Sequence, residues 1–411
     1  MEFLVNTMLV REQSQLFDFA ETDRKLASRQ IGLIEQSIRE NVPLHRLLSD
    51  QGLTYDDLGY LDSHRPKFPK QKYYTLDDFR RPSKAIPMVS FFSGAGGLDL
   101  GFEALGFEHS LLVEKIPLFC ETLKHNRPEW KVYSGDVSNK DEMVAEIDKH
   151  IGKRKMFEGV FVGGPPCQPF SIAANQRFSK SGENFKRVGF AHETNGNLLF
   201  DYIELIKHYR PKAFLIENVP GLLEVDGGEQ LARAYDELAS AGYFVNDPMV
   251  LRADNYRVPQ QRNRLFVIGS RVKRRFKPLT QTTSPLACGT VFEIPIGLAE
   301  NHITREHSAE SIARYMRLSY GARDQLGRVD RLDPRRPSKT IIAGGTKGGG
   351  RSHLHPYICR TLSVRESARL QTFPDDYVFL GPVARQFTQV GNAVPPVLGA
   401  QLAAAIRDSY F

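Results

Sequence analysis

Six short apolar runs punctuate the middle of the chain: Met88–Phe92, Ser110–Val113, Val132–Tyr133, Val160–Val162, Ala213–Ile216 and Leu265–Ile268. Between them lie stretches whose apolar residues recur at helical spacing, Leu98–Leu105, Ile116–His125, Lys140–His150, Leu198–His208 and Glu229–Ala241. Continuous apolar strands alternating with helices predict an α/β fold with a mostly parallel sheet covered on both faces. Upstream, residues 14–44 predict one or two amphipathic helices, with a stripe of Leu26, Leu33, Ile34 and Ile38 broken at Pro43. Thr54-x-x-Asp57 and Thr75-x-x-Asp78 each place a carboxylate to close a capping box at a further helix start. Pro66, Pro69, Pro82 and Pro87, interleaved with Lys and Arg, predict a linker. The alternation stops after Arg271, and residues 272–355 are irregular, basic and end in the glycine-rich run Gly344-Gly345-Thr346-Lys347-Gly348-Gly349-Gly350. The predicted organisation is a helical extension and linker over 1–85, a central domain over 86–271, a smaller domain over 272–384, and a return to the central domain over 385–411.

Composition narrows the class. With 411 residues, 41 % hydrophobic and 25 % charged, the chain is neither disordered throughout nor collagen-like. No uncharged apolar run approaches the ~20 residues of a membrane helix. The early run Phe3–Val10 is broken by Asn6 and Thr7 and has no basic residue before it, so no secretory leader is expected. Four cysteines, Cys120, Cys167, Cys288 and Cys359, stand far apart, which predicts no disulfide framework, no zinc site and a reducing cytoplasm. The net charge of +7 says little until it is placed. Residues 1–85 carry 13 basic and 13 acidic side chains, whereas residues 252–351 carry 20 basic and 8 acidic. Arginine dominates that segment, and a guanidinium suits phosphate oxygens and guanine edges, so a nucleic-acid partner is expected.

Candidate chemistry gathers at the predicted strand ends. The first strand runs into Phe92-Ser93-Gly94-Ala95-Gly96-Gly97-Leu98, a turn whose glycines let the backbone approach a ligand. Glu114 ends the second strand about 20 residues on, where an acid meets ribose hydroxyls, and Asp136 ends the third. No basic residue accompanies the glycines, so a nucleoside without phosphates is expected, and S-adenosyl-methionine is the common one. After the fourth strand comes Gly163-Gly164-Pro165-Pro166-Cys167-Gln168-Pro169-Phe170-Ser171. Three prolines around one cysteine predict a positioned nucleophile, whereas the other three cysteines read as small buried hydrophobes. The strand Ala213–Ile216 then delivers Glu217-Asn218-Val219 to the same edge, pairing a proton donor with that nucleophile.

These residues resemble motifs of the DNA cytosine-5 methyltransferases: Phe92–Gly97, Pro166-Cys167-Gln168, Glu217-Asn218-Val219, Gln260-Gln261-Arg262-Asn263-Arg264, Arg360–Glu366 leading to Arg369–Pro374, and Val390–Pro396. They occur in the family's usual order over about residues 86–411. The resemblance implies a Rossmann-like methyltransferase domain with a small basic target-recognition domain. It implies that the thiolate of Cys167 adds to carbon 6 of a flipped cytosine, that Glu217 protonates ring nitrogen 3, and that Arg262 and Arg264 contact the base and position Glu217. For the cofactor it implies Phe92 near the adenine, Gly94, Gly96, Gly97 and Leu98 along the methionine portion, and Glu114 at the ribose. Asp136 and Val137 fall at the adenine amine, Pro165 against the ring, and Asn392 beside the glycine loop. The segment Phe170–Asn197 is expected to close over the base. Gln168, Ser171, Lys186, Arg187, Arg335, Lys347 and Arg351 are the expected DNA contacts, and no metal is expected.

Two departures stand out. Lys115 follows the ribose acid where many members carry an aromatic residue, and Ser90 stands where many have Asp. The expected function is methylation of duplex DNA in a bacterial cytoplasm or nucleoid by a monomer, protecting DNA from a cognate restriction endonuclease. An RNA cytosine-5 methyltransferase on the same domain and a non-catalytic DNA-binding regulator are the alternatives.

Overall fold

The computed structural model describes residues 21–62, 64–81, 83–153, 156–166, 198–342 and 353–411. Cys167, Gln168, Ser171, Lys186, Arg187, Lys347 and Arg351 lie outside the described residues, as do the closing segment after Cys167 and the glycine-rich run.

The chain divides into two compact units. The larger comprises residues 70–302, 336–350 and 364–411; the smaller comprises 1–69, 303–335 and 351–363. The divide therefore does not fall at 271/272. Residues 272–302 belong to the larger unit, where Phe276 N donates to Asn246 Oδ1 (2.8 Å), Lys277 N to Ser409 Oγ (2.9 Å) and Cys288 N to the Arg336 carbonyl (2.9 Å). Residues 364–384 join it too, with Tyr377 Oη donating to the Ala95 carbonyl at 2.8 Å.

The larger unit is built on an eight-stranded sheet. Strands β1 (Ile86–Phe91), β2 (Phe107–Glu114), β3 (Val132–Ser134), β4 (Val160–Gly163) and β5 (Ala213–Asn218) run parallel in the order β3-β2-β1-β4-β5. Beyond β5 the direction reverses. The run predicted at Leu265–Ile268 becomes β8 (Asn263–Ser270), antiparallel to β5, with β6 (Phe244–Val245) and β7 (Met249–Arg252) paired antiparallel to it. Burial on both faces explains why the central strands β1, β4 and β5 are apolar without alternation. One face packs on the helices Lys140–Ile151 and Leu198–Tyr209 through Phe91, Phe161, Phe214, Ile147, Tyr202 and Ile206. Each fully buried side chain of this size contributes about 1.5–3 kcal/mol. Helix Lys140–Ile151 has acids in its first turn (Asp141, Glu142) and bases in its last (Lys149, His150), complementing its dipole.

The C-terminal helix Pro396–Tyr410 returns against helix Gly97–Ala104. A Cβ on Gly101 would lie 2.4 Å from Ala400 N, so only glycine permits this approach.

The smaller unit joins the N-terminal extension and the variable region in one core. Leu33, Ile34, Leu44, Leu48, Leu58 and Tyr60 pack with Ala309, Ile312, Tyr315, Met316, Val329, Leu354 and Cys359. Helix Glu21–Glu40 carries the predicted stripe residues Leu33 and Ile34 into it, and Pro43 starts the next helix, Leu44–Asp50. Backbone bonds stitch the pieces: Cys359 N donates to the Leu58 carbonyl and Leu61 N to the Met316 carbonyl (2.9 Å). The two capping boxes form as the spacing predicts, with Asp57 Oδ2 accepting from Thr54 N (2.8 Å) and, in the larger unit, Asp78 Oδ2 from Thr75 N (2.9 Å). Both open short 3-10 turns rather than full helices.

Candidate active site

The strand order reverses its direction of growth between β1 and β4, and ligands of open α/β sheets bind outside the carboxyl ends at such a point. On one side of it, β1 ends in the glycine turn. Phe92 (φ 57°), Gly94 (φ 57°) and Gly96 (φ 71°) are left-handed there, and Phe92 meets Tyr202 edge-on with centroids 6.3 Å apart. The glycines differ in what they serve. A Cβ on Gly97 would sit 2.3 Å from the Val394 carbonyl, and one on Gly96 2.8 Å from Leu123 Cδ2, so these two admit protein neighbours. At Gly94 a Cβ would meet nothing nearer than its own loop at 4.0 Å, so this is where the turn opens to a ligand.

Glu114, nearly buried, accepts from Gly94 N and from Ile116 N, both at 2.8 Å. Burial pushes its carboxyl up against the opposing pull of these amides. Glu114 thus clamps the glycine turn to β2 and leaves its remaining lone pairs for a ligand hydroxyl. Beyond β3, Asp136 pairs with Lys115, Nζ to Oδ2 at 2.6 Å. Burial works to raise the Asp136 carboxyl, but bonds from Lys115 and Ser138 hold it below the usual carboxylate range. The residue in the usual aromatic position therefore neutralises a neighbouring acid instead of stacking. Val137 is a core residue, Leu98 is half-buried behind the turn, and Asn392 is exposed just before Ala393 and Val394, which line Gly97.

On the other side, β4 leads through Gly164, Pro165 and Pro166 toward Cys167. Glu217, on β5 beside it, has a side chain only 15 % exposed and receives Arg264 Nε on Oε1 at 2.8 Å. Burial raises the Glu217 carboxyl, opposed by the guanidinium groups of Arg264 and Arg262. Two contacts tie the β4 and β5 ends together. A Cβ on Gly164 would come 2.8 Å from Glu217 Oε2, so the backbone leading to Cys167 passes directly over this carboxylate. Asn218 Nδ2 donates to the Pro165 carbonyl at 3.3 Å while its Oδ1 accepts from Val219 N at 2.8 Å. Asn218 is the residue that sequence reasoning passed over; its signal was its place beside Glu217 in a motif read for the acid alone.

Arg262 differs from expectation. It is 1 % exposed, and its guanidinium donates to the carbonyls of Ile341 (3.2 Å), Gly391 (2.9 Å) and Asn392 (3.2 Å). A planar fork with five donors satisfies several buried carbonyls at once, and here it bolts the start of β8 to two distant segments. Gln260 continues this network, accepting from Ile341 N (2.9 Å) and donating to Gln371 Oε1 (3.0 Å). Of the two, Arg264 makes the direct ion pair with Glu217, and Arg262 acts on it through its charge. Arg335 lies in the smaller unit, with Asp333 held on both its Nε and Nη2 at 2.9 Å. Cys120, Cys288 and Cys359 are buried thiols.

A carboxylate raised by burial and held by an arginine therefore lies beneath the backbone at Gly164, three residues before Cys167. The family comparison decides the matter: the sequence model of the C-5 cytosine-specific DNA methylases matches residues 86–408.

The chain belongs to that family.

The methyltransferase is 34 % identical over 355 residues to the type II methyltransferase M.PspPI of Psychrobacter sp. (strain TA137), covering 79 % of this chain and 80 % of that protein. It is 31 % identical to M.Eco47II of Escherichia coli, covering 78 % of each. Among solved structures, a DNA modification methyltransferase from an Escherichia coli prophage superposes with a TM-score of 0.61 at 24 % identity, over 79 % of this chain and 99 % of that one, a likeness of fold. The enzyme transfers a methyl group to carbon 5 of cytosine in DNA, with S-adenosyl-methionine as donor. The family match is to DNA methylases, which disfavours the RNA enzyme and the non-catalytic regulator.

One prediction tests the geometry directly. Gly164→Ala is expected to lower kcat roughly 100-fold, because its methyl displaces the Glu217 carboxylate and misplacement by about 1 Å has this cost. Single-turnover methylation, with thermal unfolding as the control on folding, reads it. An unchanged kcat would show that the carboxylate moves aside freely.

Proposed function

We propose that the methyltransferase modifies one cytosine within a specific duplex sequence and protects DNA against an endonuclease cutting the same site. The observation that carries the chemistry is the Glu217–Arg264 pair lying under Gly164, on the backbone path to Cys167. Carbon 5 of cytosine is a poor nucleophile. The thiolate of Cys167 forms a bond to carbon 6 as Glu217 gives its proton to nitrogen 3, and carbon 5 becomes enamine-like. S-adenosyl-methionine supplies the electrophilic methyl. A base then removes the carbon 5 proton, the sulfur–carbon 6 bond breaks as Glu217 takes back the nitrogen 3 proton, and aromaticity returns. Carbon 6 is shielded within a stacked duplex, so the base is turned out of the helix.

The site fits the cofactor's nucleoside and methionine parts. Gly94 opens to a ligand, Glu114 offers lone pairs to ribose hydroxyls, and Phe92 and Pro165 border the place of the adenine. Lys115 is neutralised by Asp136, so no free cation of the turn calls for phosphate. The smaller unit and the segment 336–351 provide sequence choice, with Gln168, Ser171, Lys186, Arg187, Arg335, Lys347 and Arg351 on the DNA.

The relatives' designation as type II methyltransferases supports a restriction–modification role. No helix among the described residues is long and apolar enough to cross a membrane, and we place the enzyme in the cytoplasm, as a monomer, on the nucleoid. Tritiated methyl transfer to duplex DNA and to RNA, followed by bisulfite sequencing of DNA from an expressing host, tests the assignment. Label in one duplex motif, and resistance of that DNA to an endonuclease cutting there, is the expected result. Label confined to RNA would overturn it.

A further inference from the structure

The smaller unit contains a stack that runs from its core to its surface. Arg331, 1 % exposed, lies between two rings, its guanidinium carbon 3.6 Å from the centroid of Tyr60 and 3.8 Å from that of Tyr320. Its donors are spent on carbonyls, Nε on Pro356 (3.0 Å) and Nη1 on Leu318 (2.6 Å), so it is a structural post. Tyr320 meets Tyr357 edge-on with centroids 6.5 Å apart, and Tyr357 carries the guanidinium of Arg65 at 4.7 Å from its centroid. Tyr320 Oη also donates to the His64 carbonyl at 2.6 Å, which fixes the backbone next to Arg65.

The order is Tyr60, Arg331, Tyr320, Tyr357, Arg65, from buried to exposed. It joins the N-terminal segment (Tyr60, Arg65) to two pieces of the variable region (Tyr320 and Arg331; Tyr357). Arg65 is exposed, and no carboxylate among the described residues pairs with it. Arg335, by contrast, is occupied by Asp333 and stands near the same Tyr320. A guanidinium over a ring uses its charge on the π-face without spending its N–H donors, which stay available to a ligand. A planar fork presented in this way suits two adjacent acceptor atoms, and DNA offers such pairs at a phosphate and at the O6/N7 edge of guanine.

We propose that Arg65, at the exposed end of the Tyr60–Arg331–Tyr320–Tyr357 stack, contacts the target DNA bidentately, so the N-terminal segment is part of the recognition surface. This rests on the reading of the smaller unit as a recognition element. Binding of the full chain to its methylatable duplex and to an unrelated duplex, across a salt series, tests it with Arg65→Ala, Arg65→Lys, Tyr357→Leu and Arg335→Ala. Arg65→Ala is expected to weaken binding of the methylatable duplex roughly tenfold or more, the effect of one good bidentate contact. Arg65→Lys restores little of it, and Tyr357→Leu, which keeps the charge but removes its support, falls between. The affinity for S-adenosyl-methionine stays unchanged. Equal weakening of both duplexes, with a salt slope shallower by about one, assigns a phosphate. Weakening confined to the methylatable duplex assigns a guanine. If Arg65→Ala binds both duplexes as the parent does while Arg335→Ala is impaired, the proposal is overturned and the recognition reading survives. If neither variant changes binding, both fall.

Discussion

Cys167→Ser is expected to abolish methyl transfer to duplex DNA, by roughly four orders of magnitude or more. The reaction needs an atom that adds to carbon 6 and later leaves. A free thiol with a pKa of about 8.5 is a few per cent thiolate at neutral pH, and sulfur is intrinsically nucleophilic. A serine hydroxyl at the same place is neither ionised nor polarisable. The approach to residue 167 is set by the backbone before it: Gly164 passes over the Glu217 carboxylate, and the Pro165 carbonyl is held by Asn218. That support comes from residues before position 167, and the serine variant is expected to keep its fold and its affinity for S-adenosyl-methionine. Tritiated methyl incorporation measures the loss, and equilibrium binding of the cofactor is the control. Incorporation at the parent rate would remove Cys167 from the mechanism.

Glu217→Gln carries the second large effect, a fall in kcat of about 10²–10⁴-fold, the range for losing a positioned general acid. The pH profile distinguishes this role from a merely structural one. Burial raises the Glu217 carboxyl above its ordinary range despite Arg264 and Arg262, so the protonated, donating form persists to higher pH than in an exposed carboxyl. As pH climbs through that raised value the proton is lost and kcat/KM falls, while ionisation of Cys167 drives the rate the other way. In Glu217→Gln the alkaline fall assigned to the acid disappears. Arg264→Leu removes the guanidinium 2.8 Å away that favours the ionised form, so the carboxyl rises further and the fall moves to higher pH. An alkaline limb unchanged in Glu217→Gln would exclude Glu217 as its origin.

Five of the six predicted apolar runs became the parallel strands in their predicted places; β1, β4 and β5, buried almost throughout, announce themselves by composition alone, whereas the edge strand β3 is half-exposed and shows only as a short apolar pair. The sixth kept its place and took the antiparallel direction. Strand direction depends on how the connection returns, and β6 and β7 are too short and too exposed to show in the pattern. The roles of the site residues were legible to different depths. Glu217 and its partner Arg264 stand together as their motifs suggest. Arg262, two residues earlier in the same motif, instead spends its Nη donors on carbonyls of residues 341, 391 and 392. Residues two apart on a strand share a face, but Arg262 lies just before the first residue of β8, so alternation does not place it and only packing decides which partners it meets.

By itself the sequence determined the parallel strands of the sheet, the glycine turn with its two acids, and the family to which they belong. These are local: each depends on residue types within a few positions, placed by strands whose apolar content is unambiguous. What only the tertiary structure decided is how distant segments share a core. The neutral N-terminal region reads as an appendage, yet its Leu33, Leu44 and Tyr60 are buried with Ile312, Val329 and Cys359, and the two regions make one unit. The basic segment 252–351 likewise reads as one charged surface. It is divided between both units, and Arg262 and Arg331 within it are 1 % exposed. Charge along a chain records neither burial nor partnership. An arginine that satisfies buried carbonyls and one that waits for DNA are the same letter until the fold places them.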